Sequence, residues 1–151
     1  MVIKTCNLTK RVSTSDGELV ILENINLELE EGSSLAIVGP SGSGKSTLLG
    51  LLAGLDSASS GEIFLNQEPL HDLNEDERAK VRKENVAFVF QSFELLPGLT
   101  ALENVMLPSE LNSNPNAKER ATEYLFRVGL KNRISHYPRQ LSGGEQQRVA
   151  I

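Results

Sequence analysis

The sequence predicts an α/β fold that starts with an antiparallel β-sheet and continues into helices, and three observations support this. Residues 25–30 (INLELE) alternate apolar and polar side chains, as a strand with one solvated face does. Residues 33–38 (SSLAIV) and 86–90 (VAFVF) are short apolar runs without alternation, which is typical of strands buried on both faces in a parallel sheet. After Gln91 the sequence changes to capped helical segments.

The elements of the first half follow from local patterns. Residues 2–8 are short and partly β-branched, which predicts a strand, and Asp16-Gly17 predicts a turn. Residues 45–55 are apolar and follow a glycine-rich turn, which predicts a helix. A loop of serine, alanine and glycine then precedes a return to strand at residues 62–65.

Helix caps mark two of the later helices. Asn74, with Glu77 three residues later, resembles a capping box and predicts a charged helix that extends to about Lys83. Thr100 with Glu103 predicts a second cap of the same kind. In such a box the first side chain accepts from the backbone N–H three residues later, and the carboxylate bonds back to the first backbone N–H.

A further helix is predicted between Asn114-Pro115 and Gly129. Proline suits the first helical position because its missing N–H would have no partner there, and glycine commonly follows the last turn. One face of this helix is apolar and consists of Ala121, Leu125 and Val128.

Composition limits the classes of protein and partner. The chain has 151 residues and a formal net charge of −5, which argues against nucleic-acid partners and against broad binding to anionic membranes. The single Cys6 excludes an internal disulfide and suits a reducing compartment. The longest apolar stretch, residues 48–55, is far shorter than the ~18 residues that span a bilayer, and the N-terminus shows no secretory signal. We therefore expect a cytoplasmic protein without direct membrane insertion.

A glycine-rich stretch precedes the helix predicted at residues 45–55. Residues 39–46, GPSGSGKS, match the pattern G-x-x-x-x-G-K-[ST] at every fixed position, between a predicted strand and a predicted helix. Its glycines let the backbone turn tightly and direct successive N–H groups into a concavity that suits an anion. The helix N-terminus adds roughly +0.5 charge, which favours phosphate at the same place. We name this segment the phosphate loop.

The side chains of the phosphate loop suit a nucleotide with Mg²⁺. Lys45 supplies a full positive charge for the terminal phosphates, and Ser46 offers a hydroxyl to Mg²⁺, which prefers oxygen ligands. Thr47 is a further candidate contact for the α-phosphate. The predicted nucleotide-binding residues of this segment are Gly39, Pro40, Ser41, Gly42, Ser43, Gly44, Lys45, Ser46 and Thr47.

Two further motifs distinguish among the classes of nucleotide-binding protein. Residues 141–151, LSGGEQQRVAI, are very close to the signature of the ABC ATPases, and VFQ, which ends at Gln91, resembles the Q-loop of that family. The phosphate loop, Gln91 and the signature also occur in the family's order and spacing. The sequence is identified as a member of the ABC ATPase family. Residues 78–108 are similar to its lipoprotein-release and macrolide-export subfamily, and to a related bacterial ATPase that is paired with a large permease.

The resemblance implies a fold and a division of the chain. The fold would be a P-loop NTPase core of the ABC ATPase type, incomplete, with an N-terminal antiparallel β-subdomain and an α-helical subdomain. Residues 1–91 would form the β-subdomain and the phosphate-loop part of the core, and residues 92–141 the helical subdomain. Residues 142–151 would be the signature and the start of its helix.

The resemblance also implies ATP and Mg²⁺ as cofactors and assigns roles to single residues. Gln91 would contact Mg²⁺ and the attacking water, so that Lys45 and Gln91 are the predicted catalytic residues and Ser46 and Gln91 the predicted metal ligands. Three signature residues would bind, in trans, the γ-phosphate of ATP held by a second copy of the subunit: Ser142, Gly143 and Gly144. The same segment is also expected to cap its helix.

Residues 92–102 (SFELLPGLTAL) are apolar for an exposed segment, and two interpretations fit them. The segment is either buried under the helical subdomain or forms a groove for a coupling helix of an integral-membrane permease, which the resemblance favours. The parent protein would then hydrolyse MgATP to drive a permease of the export or lipoprotein-release type, at the inner face of the cell membrane.

One position departs from the family pattern. Many relatives have an aromatic residue that stacks on adenine where this sequence has Val12. Val12 is therefore expected to offer the base an apolar contact without stacking, and base selectivity is expected to be loose.

Several hydrolytic residues of the family would follow Ile151, namely the Mg²⁺-binding Asp, the catalytic Glu and the switch His. We therefore expect residues 1–151 to bind ATP without hydrolysing it, and to self-associate, swap elements or have a partly exposed sheet. Two other hypotheses remain. One is a soluble non-transport ABC ATPase of the DNA-repair or translation type, and the other is a nucleotide-binding or interaction fragment only.

Overall fold

A computed structural model describes residues 1–15 and 17–151 of the chain. Within these residues there are four strands, five α-helices and two short 3₁₀ helices (Lys131–Arg133 and Pro138–Gln140). The longer elements are β1 (Ile3–Thr14), β2 (Gly17–Leu29), α1 (Lys45–Leu52), β3 (Ser60–Leu65), β4 (Glu68–Pro69), α2 (Glu75–Asn85), α3 (Ala101–Leu111), α4 (Ala117–Arg127) and α5 (Gly143–Ala150).

The chain consists of two compact units, Met1–Phe88 and Val89–Ile151. The finer division expected at residues 91 and 141 stays a prediction. Among the helices of residues 1–15 and 17–151, none combines the length and the apolar character needed to cross a membrane.

The first unit contains the antiparallel sheet that the sequence predicts. Its strand order is β2-β1-β3-β4, and β1 pairs with both β2 and β3. Apart from Val2 and Glu30, the predicted strands at residues 2–8 and 25–30 lie within the longer strands β1 and β2. Thr14 pairs with Gly17 at the end of the hairpin, while Asp16 of the predicted turn lies outside the described residues.

One face of this sheet is buried by α1. Ile63 and Leu65 of β3, two positions apart and hence on the same face, are each 3% exposed and belong to the same apolar cluster as Leu8 and Leu22. The helix supplies the other side of the core with Leu48, Leu51 and Leu52. The core of this unit thus lies directly behind the first turns of the helix that follows the phosphate loop.

Helix α1 ends at Leu52, earlier than the predicted Leu55. Gly54 has φ +68°, and its N–H donates to the carbonyl oxygen of Leu51 at 3.0 Å. The N–H of Leu55 donates to the carbonyl oxygen of Gly50 at 2.8 Å. These two bonds form the usual glycine-terminated helix end, which satisfies the last carbonyls and turns the chain away.

The two buried strands predicted at residues 33–38 and 86–90 are not present. Both segments are irregular, and Val38 is 87% exposed and Phe90 40% exposed. An apolar run becomes a strand only where a neighbouring strand pairs with its backbone, and the described sheet consists of β1 to β4. The prediction of strands and of burial was therefore wrong for these segments.

The second unit is helical. Leu125 of α4 and Ala101 of α3 are almost fully buried, and α5 contributes Val149. Leu130 and Leu141, on either side of the two 3₁₀ helices, complete the same apolar cluster. The signature helix α5 is thereby packed on the core of its own unit through its apolar face.

Both predicted capping boxes are confirmed. Asn74 Oδ1 accepts from the N–H of Glu77 at 3.1 Å, and a Glu77 carboxylate oxygen accepts from the N–H of Asn74 at 2.9 Å. Thr100 and Glu103 make the corresponding bonds at 3.3 and 2.7 Å. The first of these helices extends to Asn85, two residues beyond the predicted end.

The boundaries of α4 are correct at one end only. The helix begins at Ala117 and not at Pro115, because the N–H of Asn116 donates to the Asn114 side chain at 3.0 Å and places Pro115 in the preceding turn. At the other end Gly129 has φ +77° and terminates the helix, as predicted. The predicted apolar face is buried at Ala121 and Leu125, whereas the half-buried Val128 lies beyond the last helical residue.

Candidate nucleotide-binding site

The phosphate loop leads into α1 through a glycine that the packing requires. Gly44 is the residue before the helix and has φ +83°. A Cβ at this position would lie 2.9 Å from Cδ2 of Leu22 and 3.0 Å from the carbonyl oxygen of Ile21. Both the backbone angle and the close approach of β2 therefore demand glycine, and they fix the start of α1 against the sheet.

The other two glycines of the motif, Gly39 and Gly42, are required for different structural reasons. A Cβ at Gly39 would lie 2.8 Å from the hydroxyl oxygen of Ser43, so the loop closes tightly on itself there. Gly42 has φ +81° with open space around it, so its conformation alone requires glycine. The N–H of Ser43 donates to the carbonyl oxygen of Pro40 at 3.3 Å and completes the turn.

The side chain of Lys45 folds back over the loop. Its Nζ donates to the carbonyl oxygen of Pro40 at 2.5 Å and lies 3.4 Å from the hydroxyl oxygen of Ser43. A full positive charge is thus held at the loop. A phosphate oxygen near the same atoms would replace a neutral acceptor by a charged one, which makes a stronger hydrogen bond.

The N-terminus of α1 also favours an anion. No side chain accepts a hydrogen bond there, because its first flanking residue is Gly44. In the described chain the first turn of α1 has no acidic side chain. The N–H groups of that turn are therefore directed toward the loop without a competing carboxylate. Ser46 is exposed and Thr47 half-buried in the same turn.

Val12 is half-buried in β1, where it pairs with Leu19 of β2. Two positions earlier in β1, Lys10 pairs with Leu22 of β2. The side chain of Leu22 is the nearest neighbour of Gly44 in the phosphate loop, since a Cβ at Gly44 would lie 2.9 Å from its Cδ2 atom. Val12 lies two positions further along β1, toward the hairpin end. A contact between Val12 and a base stays a prediction.

Gln91 and the segment that follows lie in the second unit. Gln91 is exposed, and the next residues include Phe93 at φ +63° and Glu94 at φ +49°, which is uncommon for residues with a side chain. The apolar segment 92–102 is partly buried and partly exposed, with Leu95 against the core and Leu96 46% exposed.

Asn104 holds this segment in place, and sequence reasoning did not identify it. Its Oδ1 accepts from the N–H of Leu96 at 2.8 Å, and its Nδ2 donates to the carbonyl oxygens of Leu99 and Thr100 at 3.0 and 2.9 Å. An asparagine four residues after a predicted helix cap is the only sequence signal for these bonds.

The signature begins α5, and its serine is the N-cap. The hydroxyl oxygen of Ser142 accepts from the N–H of Glu145 at 3.3 Å. One Glu145 carboxylate oxygen accepts from the N–H of Ser142 at 2.8 Å and from its hydroxyl at 2.9 Å. Gly143 and Gly144 form the first turn of the helix. The expectation that this segment caps a helix is confirmed.

The carboxylate of this cap is strongly stabilised in its ionised form. The backbone N–H and the hydroxyl of Ser142 lower the pKa of Glu145 to about 2, and the guanidinium of Arg133 contributes. Arg133 Nε donates to the second carboxylate oxygen at 3.0 Å. The spacing Ser-x-x-Glu predicts the cap from the sequence. No local pattern predicts the contact with Arg133, which precedes Glu145 by 12 residues.

The candidate residues form two groups. The phosphate loop and Val12 belong to Met1–Phe88, and Gln91 and the signature belong to Val89–Ile151. The assignment of Ser46 and Gln91 as Mg²⁺ ligands stays a prediction. Among the described residues there is no group of three or more His, Cys, Asp or Glu that could hold a metal ion by itself.

The sequence profile of the ABC transporter family matches residues 22–151. The chain belongs to this family. The uncharacterized ABC transporter ATP-binding protein YbbA of Escherichia coli is 51% identical over 152 residues, which cover 99% of this chain and 67% of that protein. The lipoprotein-releasing system ATP-binding protein LolD of Saccharophagus degradans is 46% identical with the same coverage. The macrolide export ATP-binding/permease protein MacB of Vibrio parahaemolyticus is 44% identical, and the match covers 23% of it.

Solved structures agree with this family assignment. A dimeric structure of a post-hydrolysis state of the ATP-binding cassette MJ0796, bound to ADP and Pi, has a TM-score of 0.92 and 42% identity, and the match covers 98% of this chain and 66% of that one. A second dimeric structure of MJ0796, a bacterial ABC transporter cassette, has the same TM-score. The ABC ATPase fold predicted from the sequence is therefore confirmed. The chain spans about two thirds of the length of YbbA, LolD and MJ0796.

Proposed function

We propose that this chain is the nucleotide-binding part of an ABC transporter ATPase subunit and that its phosphate loop binds the triphosphate of ATP. The observation that supports this most directly is the position of Lys45. Its ammonium lies on the loop at the N-terminus of α1, where backbone N–H groups and a full charge meet. Two anion-binding features at one point suit a polyphosphate.

In this proposal Ser46 and Gln91 would offer oxygen ligands to a Mg²⁺ ion that binds together with the phosphates. When bound, the ion would offset the charge of the phosphate oxygens. The protein residues do the positioning. Lys45 would exchange the Pro40 carbonyl for a phosphate oxygen, and the first turn of α1 would supply N–H donors. Val12 would provide an aliphatic contact for the base without stacking on it.

The signature is proposed to act on a second copy of the subunit. Ser142, Gly143 and Gly144 form the start of a helix, where a hydroxyl and two residues without side chains leave the backbone accessible to an anion. ATP held between this segment and the partner's phosphate loop would join two copies. The structural relatives named above are dimers, one of them with ADP and Pi, which supports the proposal.

The complete subunit is proposed to drive an integral-membrane permease of the export or lipoprotein-release type from the cytoplasmic face. The similarity to LolD and MacB supports this class. The proposed permease contact is the segment 92–102, whose exposed Leu96 is held by Asn104. Residues 1–151 by themselves are proposed to bind ATP without appreciable turnover.

A paired assay tests this proposal. MgATP binding to residues 1–151 is measured by calorimetry, and phosphate release is measured on the same sample. We expect saturable binding and no phosphate release above the Lys45→Ala variant. Turnover that depends on Lys45 would contradict the proposal for the isolated residues, and absence of binding would contradict the proposed site itself.

A further inference from the structure

The hydroxyl group of the signature serine is hydrogen-bonded to a neighbouring carboxylate. Ser142 has one hydroxyl hydrogen, which it donates to a Glu145 carboxylate oxygen at 2.9 Å. The same carboxylate oxygen accepts from the backbone N–H of Ser142 at 2.8 Å. The direction of the serine hydroxyl is therefore set by the place where the Glu145 carboxylate is held.

The place of that carboxylate is set in turn by Arg133. Arg133 Nε donates to the Glu145 oxygen that does not contact Ser142, at 3.0 Å. Arg133 lies on a 3₁₀ helix whose start is anchored in the core by the buried Leu130. The carboxylate is thus held from both sides, by a serine at the start of α5 and by an arginine from a preceding element.

We propose that Arg133 is a positioning residue for the γ-phosphate contact of the signature: it holds and neutralises the Glu145 carboxylate, so that the Ser142 hydroxyl can donate its one hydrogen to a phosphate oxygen in place of that carboxylate. This inference rests on the proposed function, in which Ser142 meets the γ-phosphate of a second copy. It assigns a role to a residue outside the signature itself.

The electrostatic reason is that a phosphate at Ser142 would meet a carboxylate at hydrogen-bond distance from the same hydroxyl. Two anions at one helix N-terminus repel each other, and water screens this repulsion less once two protein surfaces enclose the site. Arg133 offsets the carboxylate charge directly. Arg148 also lies nearby, since a Cβ at Gly144 would be 3.8 Å from one of its guanidinium nitrogens. Of these two arginines, Arg133 makes the ion pair with Glu145.

A double-mutant cycle tests the inference. Self-association of residues 1–151 is measured by analytical ultracentrifugation with and without MgATP for the wild type, Arg133→Gln, Glu145→Gln and the double variant. Glutamine at position 145 can still form the capping box and has no charge to neutralise. We expect Arg133→Gln to weaken the ATP-dependent association about tenfold, and to have no effect in the Glu145→Gln background.

The cycle needs three controls. Arg139→Gln removes the same charge from an exposed position of the same unit and should leave the association unchanged. MgATP affinity of the monomer should be the same for Arg133→Gln and the wild type, and thermal unfolding should stay cooperative with a slightly lower midpoint, because Arg133 helps to stabilise the ionised Glu145. An NMR titration should show a higher pKa of the Glu145 carboxyl in Arg133→Gln, which a general loss of structure would not produce selectively.

The outcomes separate the inference from the proposed function. An equal effect of Arg133→Gln with and without the Glu145 carboxylate would overturn the inference and leave the proposed function intact. A wild type and a Ser142→Ala variant that both fail to respond to MgATP would overturn the proposed role of the signature, and the inference with it.

Discussion

Lys45 donates a hydrogen bond from Nζ to the carbonyl oxygen of Pro40 at 2.5 Å, across the loop that connects the two residues. A flexible lysine side chain commonly extends into solvent, where its ammonium is well hydrated. Here the ammonium is directed to the loop interior, close to the N-terminus of α1. The arrangement concentrates positive charge at a point that backbone N–H groups also face.

Substitution of Lys45 by alanine should weaken MgATP binding about 100-fold, because a charge-assisted contact with the terminal phosphates is lost. Calorimetric titration of both chains measures the change. Lys118→Ala, on an exposed position of α4, provides the matched loss of one lysine and should bind as the wild type does. Equal affinities of the wild type and Lys45→Ala would show that the ammonium is not part of the site.

Gly44→Ala should destabilise the first unit by about 1–3 kcal/mol, because alanine would have to adopt φ +83° and its Cβ would meet Leu22 at 2.9 Å. Urea unfolding measures this loss. Gly50→Ala is the matched control, since it lies inside α1 with nothing within 4 Å of an added Cβ. That control should gain about 0.5–1 kcal/mol from higher helix propensity. A Gly44→Ala chain as stable as the wild type would contradict the described approach of α1 to β2.

The features that the sequence predicts correctly depend on neighbours in the sequence. The boxes of Asn74 with Glu77 and of Thr100 with Glu103 form because their partners are three residues apart on the same turn. The end of α4 before Gly129 follows from the freedom of glycine to adopt positive φ. The tight turn before α1 is of the same kind, since Gly39, Gly42 and Gly44 all have positive φ and lie within six consecutive residues.

The failures depend on partners that are distant in the sequence. The segments 33–38 and 86–90 have the composition of buried strands, but composition does not determine which strand pairs with them. The bond between Arg133 and Glu145 spans two elements and follows from the packing of Leu130 and Val149 in one cluster. The end of α1 at Leu52 is a different case, because a local feature determines it. Gly54 adopts positive φ and ends the helix, whereas the apolar pattern through residue 55 predicted a longer one.

Ser142→Ala should separate the two roles of the signature serine. Removal of an N-cap hydroxyl typically costs about 1 kcal/mol, so the second unit should unfold at slightly lower denaturant concentration. MgATP affinity of the monomer should not change, because the phosphate loop lies in the other unit. ATP-dependent association should fall sharply, and sedimentation with MgATP measures this. Ser135→Ala, at an exposed position of the same unit, is the control and should match the wild type in all three measurements.

Stability of the second unit should depend on pH through Glu145. The pKa of this carboxyl is lowered from 4.5 to about 2, first by the backbone N–H and hydroxyl of Ser142 and then by Arg133. A pKa lower in the folded than in the unfolded chain means that the ionised form stabilises the fold. This contribution is fully present above pH about 4.5 and is lost as the pH falls toward 2.

Acid unfolding of Glu145→Gln isolates this contribution, because glutamine preserves the box and does not titrate. The variant should lose less stability than the wild type between pH 4.5 and 2. The difference should become smaller if Arg133 and Ser142 are both replaced, and it should not vanish, because the backbone N–H at position 142 remains. Glu103→Gln removes a separate carboxyl on α3 whose pKa is lowered by Thr100, and its effect should add to that of Glu145→Gln. Parallel acid-unfolding curves for the wild type and Glu145→Gln would show that the carboxylate is not held by these bonds in solution.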